Sequence, residues 1–323
     1  MPPRNPIYSL LIANWNGEAY IERCLGSVLA AVRRAGVEME VVVVDDASAD
    51  RSPDLIATGF PKVRLIRLER NVGFGAAVGR GMAELDADWV FLLNNDLALR
   101  VDFCERLIRT LNQQDAENVF VIGALTLDWE TQEPNHGGQL ARWRAGMIVQ
   151  EPFDAGRAEP ADFVQAGACL LNRAKFLNLG GFADIYHPGY WEDYDLAWQA
   201  RRAGWLNLHE PRAVAYHRGK GSMRELLGPW GLSLVLGRNH LLFNWANLRD
   251  AGMIARHLLA LPRWVLTDPL RPSEASRGRA LWAALGRLPR LLRLRRRRAA
   301  LQGPSDRELL TGSRPATVSR SAG

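Results

Sequence analysis

The chain predicts an α/β protein: a mostly parallel central sheet flanked by helices, followed by a helical, basic C-terminal extension. Three observations carry this. Short apolar runs alternate with helical spacing through the first half. Several runs end in polar clusters, as strands of parallel sheets do where a ligand crevice forms. Beyond Gly219 the pattern changes to Leu, Trp and Arg in helical register.

In chain order, "YSLLIAN" (8–14) reads as a buried strand, and Ile21, Leu25, Val28, Leu29 and Val32 follow helical spacing. "MEVVVVDD" (39–46) and "VRLIRLE" (63–69) are the next strands, then a Gly-rich turn leads into a helix through about Leu85. "DWVFLLNND" (88–96) is a strand ending in polar groups, Val101 to Leu111 a helix, and "VFVIGALTL" (119–127) a strand. Gly, Pro and charged residues over 128–160 predict loops. "DFVQAGACLLN" (162–172) reads as a strand and "WLNLHEPRAVAYH" (205–217) as strands delivering His217. Strand–helix alternation of this kind covers a parallel sheet on both faces.

Composition bounds the rest. With 47% hydrophobic and 24% charged residues, the 323-residue chain can bury a proper core. Residues 1–218 carry 22 basic and 29 acidic side chains, a net −7; residues 219–323 carry 19 and 6, a net +13. The domain reading is accordingly 1–218 as the α/β body, 219–300 as an amphipathic basic extension and 301–323 as an unstructured tail. Cys24, Cys104 and Cys169 stand apart in apolar surroundings, as buried free thiols in a reducing compartment do. No signal peptide is expected at the start, and no spanning helix, because the best apolar run, Leu226 to Leu248, is interrupted by Arg238-Asn239-His240.

Polar groups at three strand ends, Asn14/Asn16, Asp45/Asp46 and Asn94/Asn95/Asp96, are expected to converge on one crevice. Either Asp45 and Asp46 accept bonds from a nucleotide base or ribose, or Asp46, Ser48 and Asp50 merely turn the chain and cap a helix. Asp96 either offers a hard oxygen to Mg²⁺ or Mn²⁺, or begins a loop before the helix near residue 100. "NVGFGAAVGRG" (71–81) misses the dinucleotide fingerprint because Val78 stands where the third glycine belongs, which argues against a dehydrogenase. Asn71, Gly73 and Gly75 of that loop are placed beside a donor's nucleotide or phosphates instead. His217 offers a ring nitrogen to a metal, or is an ordinary histidine; Arg218 and Lys220 beside it suit phosphate oxygens.

"YWEDYDLAWQARRAGW" (190–205) crowds Glu192, Asp193 and Asp195 into a first helical turn beside aromatic rings. One carboxylate near another has its pKa raised and suits a base that takes an alcohol's proton. Tyr190 and Trp191 offer flat faces for a sugar ring.

The order "SLLIANWNG", "VVVVDDASAD", "NVGFGAAVGRG", "FLLNND", "GGFADIYHPGYWEDYDLAWQARRAGW" and "AYHRGKGS" resembles the family 2 inverting glycosyltransferases, in their rhamnosyltransferase-like branch. The resemblance spans about residues 7–222. It implies the GT-A fold, a nucleotide-sugar donor (dTDP-rhamnose, or a UDP-hexose) and Mn²⁺ or Mg²⁺. It implies donor contacts at Asp45 and Asp46, metal contacts at Asp96 and His217, Asp193 as the base and Glu192 as its neighbour that helps place the acceptor. The chain departs from the family at Asn94-Asn95-Asp96, where a proline or further acids are usual, and at Val78-Gly79, where an Asn pair is usual.

The acceptor expected from the resemblance is a glycan or lipid-linked hydroxyl, and the expected location cytoplasmic, peripherally associated with the inner face of the membrane. Leu281, Leu285, Leu288 and Leu292 line one face of an arginine-rich helix that Pro289 bends or restarts, and Arg295–Arg298 close the run, as on an anionic membrane surface. Nucleic-acid binding by the same arginines is the competing reading and is not expected, since no interleaved aromatics or known module accompany them; a helical pair used for homodimerisation is a third use, compatible with membrane contact. A catalytically silent nucleotide-sugar-binding or scaffold protein is the alternative to an enzyme.

Overall fold

The computed structural model describes residues 5–218, 222–267 and 275–312. Its N-terminal half is built from β1 (Tyr8–Asn14), α1 (Ile21–Ala35), β2 (Met39–Asp45), α2 (Ser52–Gly59), β3 (Arg64–Arg67), α3 (Phe74–Glu84) and β4 (Trp89–Asn94). β3, β2, β1 and β4 lie side by side and parallel. In β2 the alternation is plain: Val41 and Val43 face one apolar layer with α1, Val42 and Val44 the other with α3. Burying each such valine contributes about 1.5–3 kcal/mol, and a slip of one residue would exchange the two faces.

β5 (Leu97–Leu99), α4 (Phe103–Asn112), β6 (Val119–Asp128), β7 (Pro134–His136), β8 (Gln139–Arg144), β9 (Met147–Pro152), β10 (Glu159–Pro160), β11 (Ala168–Asn172), α5 (Arg173–Asn178), α6 (Glu192–Arg202) and β12 (Leu206–His217) complete the body. β11 enters antiparallel between β4 and β6, and β12 runs parallel to β6. β12 shifts register between Glu210 and Val214, the stretch holding Pro211, which has no N–H for the ladder. After the shift it pairs with β5, His217 opposite Leu97.

Two expectations are corrected here. Residues 128–160 are not all loop: β8 and β9 form a hairpin through Ala145-Gly146, both with positive φ, and β7 extends the main sheet. The strand expected over 162–172 begins only at Ala168.

The extension comprises α7 (Ser222–Asn247), α8 (Ala251–Leu266), α9 (Arg277–Leu285), α10 (Leu288–Arg297) and α11 (Asp306–Thr311). α7 breaks at Gly228, before Pro229, and α10 restarts at Leu288-Pro289. Rather than standing apart, the extension shares an apolar cluster with the body: Trp198 and Tyr186 pack with Leu241, Phe243, Ala284, Leu291 and Leu309. The expectation of an unstructured tail from residue 301 is also corrected. α11 is capped by Ser305 and Glu308 and docked through a buried ion pair between Asp306 and Arg202. A buried arginine needs such a counter-charge. Residues 313–323 lie outside the described residues. Cys24, Cys104 and Cys169 are buried free thiols. Among the described residues no helix is long and apolar enough to cross a membrane.

Candidate active site

The carboxyl ends of β1, β2 and β4 do come together. Asn14 donates from Nδ2 to Asp45 Oδ1 (2.8 Å) and Ser52 Oγ (2.9 Å), and its Oδ1 accepts from Asn95 Nδ2 (2.9 Å). Asp45 also accepts from the backbone N–H and hydroxyl of Ser48 (3.1 and 2.5 Å). Asp46 accepts from the N–H groups of Val72 (2.7 Å) and Gly73 (2.8 Å). The two acids are 1% and 3% exposed. Their oxygens tie the loops at these strand ends together.

Asn16, at φ 49°, accepts from Ala49 N–H (2.9 Å) and shapes the mouth of the crevice. Beside it opens a cleft of about 730 Å³, whose lining includes Trp15, Tyr20 and Arg51. Trp15 was not singled out from the sequence, although an aromatic at a strand end in such a crevice is itself a signal.

Gly73 has φ 85°, and a Cβ there would approach His187 Nδ1 to 2.8 Å, so the loop needs glycine twice over. Val78 lies in α3 and is buried; a third glycine would leave that core position empty. Asn71 is exposed, and Gly75 sits against Phe182.

Asp96 follows β4 and meets the end of β12. His217 Nε2 lies 3.2 Å from Asp96 Oδ1, close enough to attract, yet that oxygen is buried and makes no well-formed hydrogen bond. Asn135 Nδ2 is 3.3 Å from His217 Nδ1 and holds the ring. His136, its ring centroid 6.2 Å from that of His217, is pushed down to about 4 by burial, with His217 adding to the effect. A carboxylate oxygen without a donor next to an imidazole nitrogen is a fair start for a divalent cation, with the nitrogen favouring Mn²⁺ over Mg²⁺. No group of three His, Cys, Asp or Glu is assembled among the described residues, so a bound ion would need ligand oxygens from substrate and water. Arg218 covers the Tyr20 ring at 5.0 Å; Lys220 lies outside the described residues.

Glu192 and Asp193 open α6. Asp193 accepts from Tyr194 N–H (2.8 Å) and, at 3.4 Å, from Ala166 N–H. Both carboxyls are pushed well above the usual carboxylate range, first by burial; for Glu192 the charge of Asp193 adds to it. Glu192 Oε2 has no hydrogen-bond partner. The neighbouring Gly167 connects this pair to β4. Its carbonyl accepts from Asn94 N–H (2.9 Å), and a Cβ on it would strike the Asn94 amide at 2.4 Å. Asp193 is thus linked through Ala166 and Gly167 to Asn94, the end of β4, two residues before Asp96. Buried thiols lie by each: Cys24 feels Asp96, and Cys169 feels Asp193.

Asp195, the third acid, faces away. It is fully buried and receives Arg298 Nη1 and Nη2 (2.9 and 2.6 Å) and Asn247 Nδ2 (2.8 Å). Trp191 also departs from expectation: it is 8% exposed, stacked on His240 at 4.4 Å and packed against Tyr194 and Phe243. Its faces are taken, whereas Tyr190 is 38% exposed.

The turn before α6 is held from α7. Tyr190 and Trp191 have φ of 69° and 79°, a left-handed pair that costs about 1–3 kcal/mol per residue. Asn239 Nδ2 donates to the carbonyls of Tyr186, Gly189 and Tyr190 (2.9, 2.8 and 2.8 Å), and Arg238 Nη2 to that of His187 (2.7 Å). His240 Nε2 contacts Ile148 O at 2.8 Å, and burial pushes its pKa down to about 4. The polar triplet that rules out a spanning helix is thus the support of the acidic turn, a role that needed the tertiary fold to see.

Comparison with known proteins bears on the family and the fold. The family model described as glycosyl transferase family 2 matches residues 9–174, and the chain belongs to that family. It is 29% identical over 234 residues to an N-acetylglucosaminyl-diphospho-decaprenol L-rhamnosyltransferase of Mycobacterium tuberculosis, covering 64% of this chain and 74% of that one. It is 35% identical over 237 residues to the succinoglycan biosynthesis protein ExoO of Rhizobium meliloti, covering 69% and 64%. Among solved structures it resembles GalNAc-T7 with UDP, GalNAc and Mn²⁺ (TM-score 0.58, 16% identity, 76% of this chain and 48% of that one). It also resembles the mannosyltransferase PcManGT of Pyrobaculum calidifontis with GDP-Man and Mn²⁺ (TM-score 0.55, 16% identity, 96% and 80%). The fold is the GT-A fold.

Proposed function

We propose that the protein is an inverting glycosyltransferase that moves a sugar from a nucleotide-diphosphate donor to a hydroxyl of a glycan or lipid-linked acceptor. The observation that carries this is a carboxylate pair, raised in pKa, held at the same sheet edge as Asp96 and His217. dTDP-rhamnose is the first donor to try and a UDP-hexose the second; the M. tuberculosis relative's name supports both rhamnose and a lipid-linked diphosphate acceptor.

Asp193 is the base. Its raised pKa makes it a better proton acceptor than an ordinary aspartate, while still ionised in part near neutrality. It takes the proton as the acceptor oxygen attacks the anomeric carbon from the face opposite the nucleotide. The bond to the diphosphate breaks with its electron pair, and configuration inverts. Glu192, kept protonated longer by burial and then by the charge of Asp193, can donate to the acceptor or donor sugar. Tyr190 offers a ring face at the rim. Asp96 and His217 would hold Mn²⁺, which supplies charge stabilisation for the diphosphate when bound. On this reading the reaction runs on the cytoplasmic side, at the membrane's inner face.

The test is a thermal-shift panel of nucleotide sugars with and without Mn²⁺, followed by turnover with the stabilising donor. Asp193→Asn should abolish transfer while keeping the donor-dependent shift. A donor shift with no transfer to any acceptor in the wild type would favour the silent binding protein instead, a reading kept by the single acid in Asn94-Asn95-Asp96.

A further inference from the structure

Helix α8 turns the usual amphipathic rule outward. Its inward face, Met253 and His257, is buried, and His257 accepts from Trp245 Nε1 (2.8 Å). Its outward face holds Ala255, Leu258, Leu259, Pro262 and Leu266, all exposed, with Leu258 at 56%, Leu259 at 80% and Leu266 at 84%. Helical spacing puts these on one arc, and Arg256 and Arg263, also exposed, follow on its edge. Trp282 on α9 and Leu292 on α10 are exposed as well, at 75% and 53%. Water alone gives no reason for large apolar groups to project this far, and they form a run on one helix rather than a scatter.

Charge identifies the occupant. Residues 251–298 hold twelve arginines against Asp268 and Glu274. A second copy of this chain would bring two such faces together with almost no acid to pair them. A nucleic acid would meet the arginines but leave the leucines with nothing apolar to enter. An anionic lipid bilayer answers both, phosphates for the guanidinium groups and acyl chains for the leucines. Of the arginine run that closes α10, Arg298 is engaged by Asp195 and Arg295 by the carbonyls of Trp245 and Leu248, while Arg296 and Arg297 stay exposed.

We infer that the outward face of α8, with Leu258, Leu259 and Leu266 inserted and Arg256 and Arg263 at the headgroups, is a docking surface for anionic bilayers. It seats the molecule on the bilayer through the C-terminal helices. This gives the proposed reaction a reason to occur at a membrane, but the surface can be tested without any sugar.

The experiment is co-sedimentation of the full chain with vesicles of phosphatidylcholine alone and of phosphatidylcholine with 30% phosphatidylglycerol. The expected result is binding to the anionic vesicles only, reduced at least tenfold by the triple change Leu258→Gln, Leu259→Gln, Leu266→Gln. Arg256→Gln with Arg263→Gln should lower it severalfold and blunt its dependence on salt. Unchanged donor-induced thermal shifts in both variants would show that the fold and crevice survive. Equal binding by the triple variant, no binding by the wild type, or a wild-type dimer in sedimentation velocity that the triple change dissociates would each overturn the inference. Failure here leaves the transfer reading standing, since donor and acceptor take no part in the assay.

Discussion

The side-chain amide of Asn239 lies 2.8 Å from the carbonyl oxygen of Tyr190, two residues ahead of Glu192, and the same nitrogen also serves Tyr186 and Gly189. One NH₂ shared by three carbonyls fixes a left-handed turn that the local sequence would not choose alone. Asn239→Ala leaves those acceptors unserved at about 1–3 kcal/mol. It should lower kcat more than it raises the donor KM, because what moves is the base and not the donor cleft. Steady-state kinetics with donor titration checks this; an unchanged kcat would remove Asn239 from the support of the turn.

The pairing of Arg298 with Asp195 predicts a stability effect of another kind. Arg298→Ala strands a fully buried carboxylate, and breaking a buried pair in this way costs about 3–5 kcal/mol. The double change Arg298→Met, Asp195→Leu should recover much of that loss. Chemical denaturation of the three proteins measures it.

Raised carboxyls set the pH dependence. Burial favours protonated Glu192 and Asp193 in the folded chain, so their contribution to stability is fully present below the unfolded carboxylate pKa. It is lost as pH rises through the raised folded values. Glu192→Gln should therefore melt higher than wild type at alkaline pH and differ little in acid. Activity should run oppositely, with a rising limb above the ordinary carboxylate range as the pair gives up a proton. Melting curves and kcat/KM from pH 4 to 9 test both limbs.

Asp96→Asn should weaken the Mn²⁺-dependent part of a nucleoside-diphosphate thermal shift by an order of magnitude or more, and His217→Ala should weaken it by less. The carboxylate carries charge toward the ion and the imidazole only a lone pair. Isothermal titration of Mn²⁺ into the chain with UDP or dTDP present would read the two affinities.

Much of the body was legible from the one-dimensional pattern. Four buried valines ending in two acids could be little other than an inner strand of a parallel sheet, and the same logic led to Asn14 and Asp96. What the pattern hid was direction and partnership. Asp193 and Asp195 sit two apart on α6, so they point to different sides, one to the crevice and one to Arg298. Trp191 and Tyr190 are neighbours of opposite fate for a similar reason. The hairpin of β8 and β9 was missed because its strands are short and charged on their open faces, and α11 because its one strong anchor, Asp306, finds Arg202 only through tertiary contact.

That last contact has a consequence for the order of events during synthesis. Arg202 closes the helix whose first turn holds the proposed base, yet its counter-ion is made 104 residues later. The ribosome delivers the sheet, the crevice and the acidic turn well before it delivers the helix that neutralises their underside. A nascent chain halted near residue 290 would have every group the chemistry calls for and neither Asp306 nor Arg298 to seat them. Protease should cut α6 of such a fragment readily and spare it in the finished molecule.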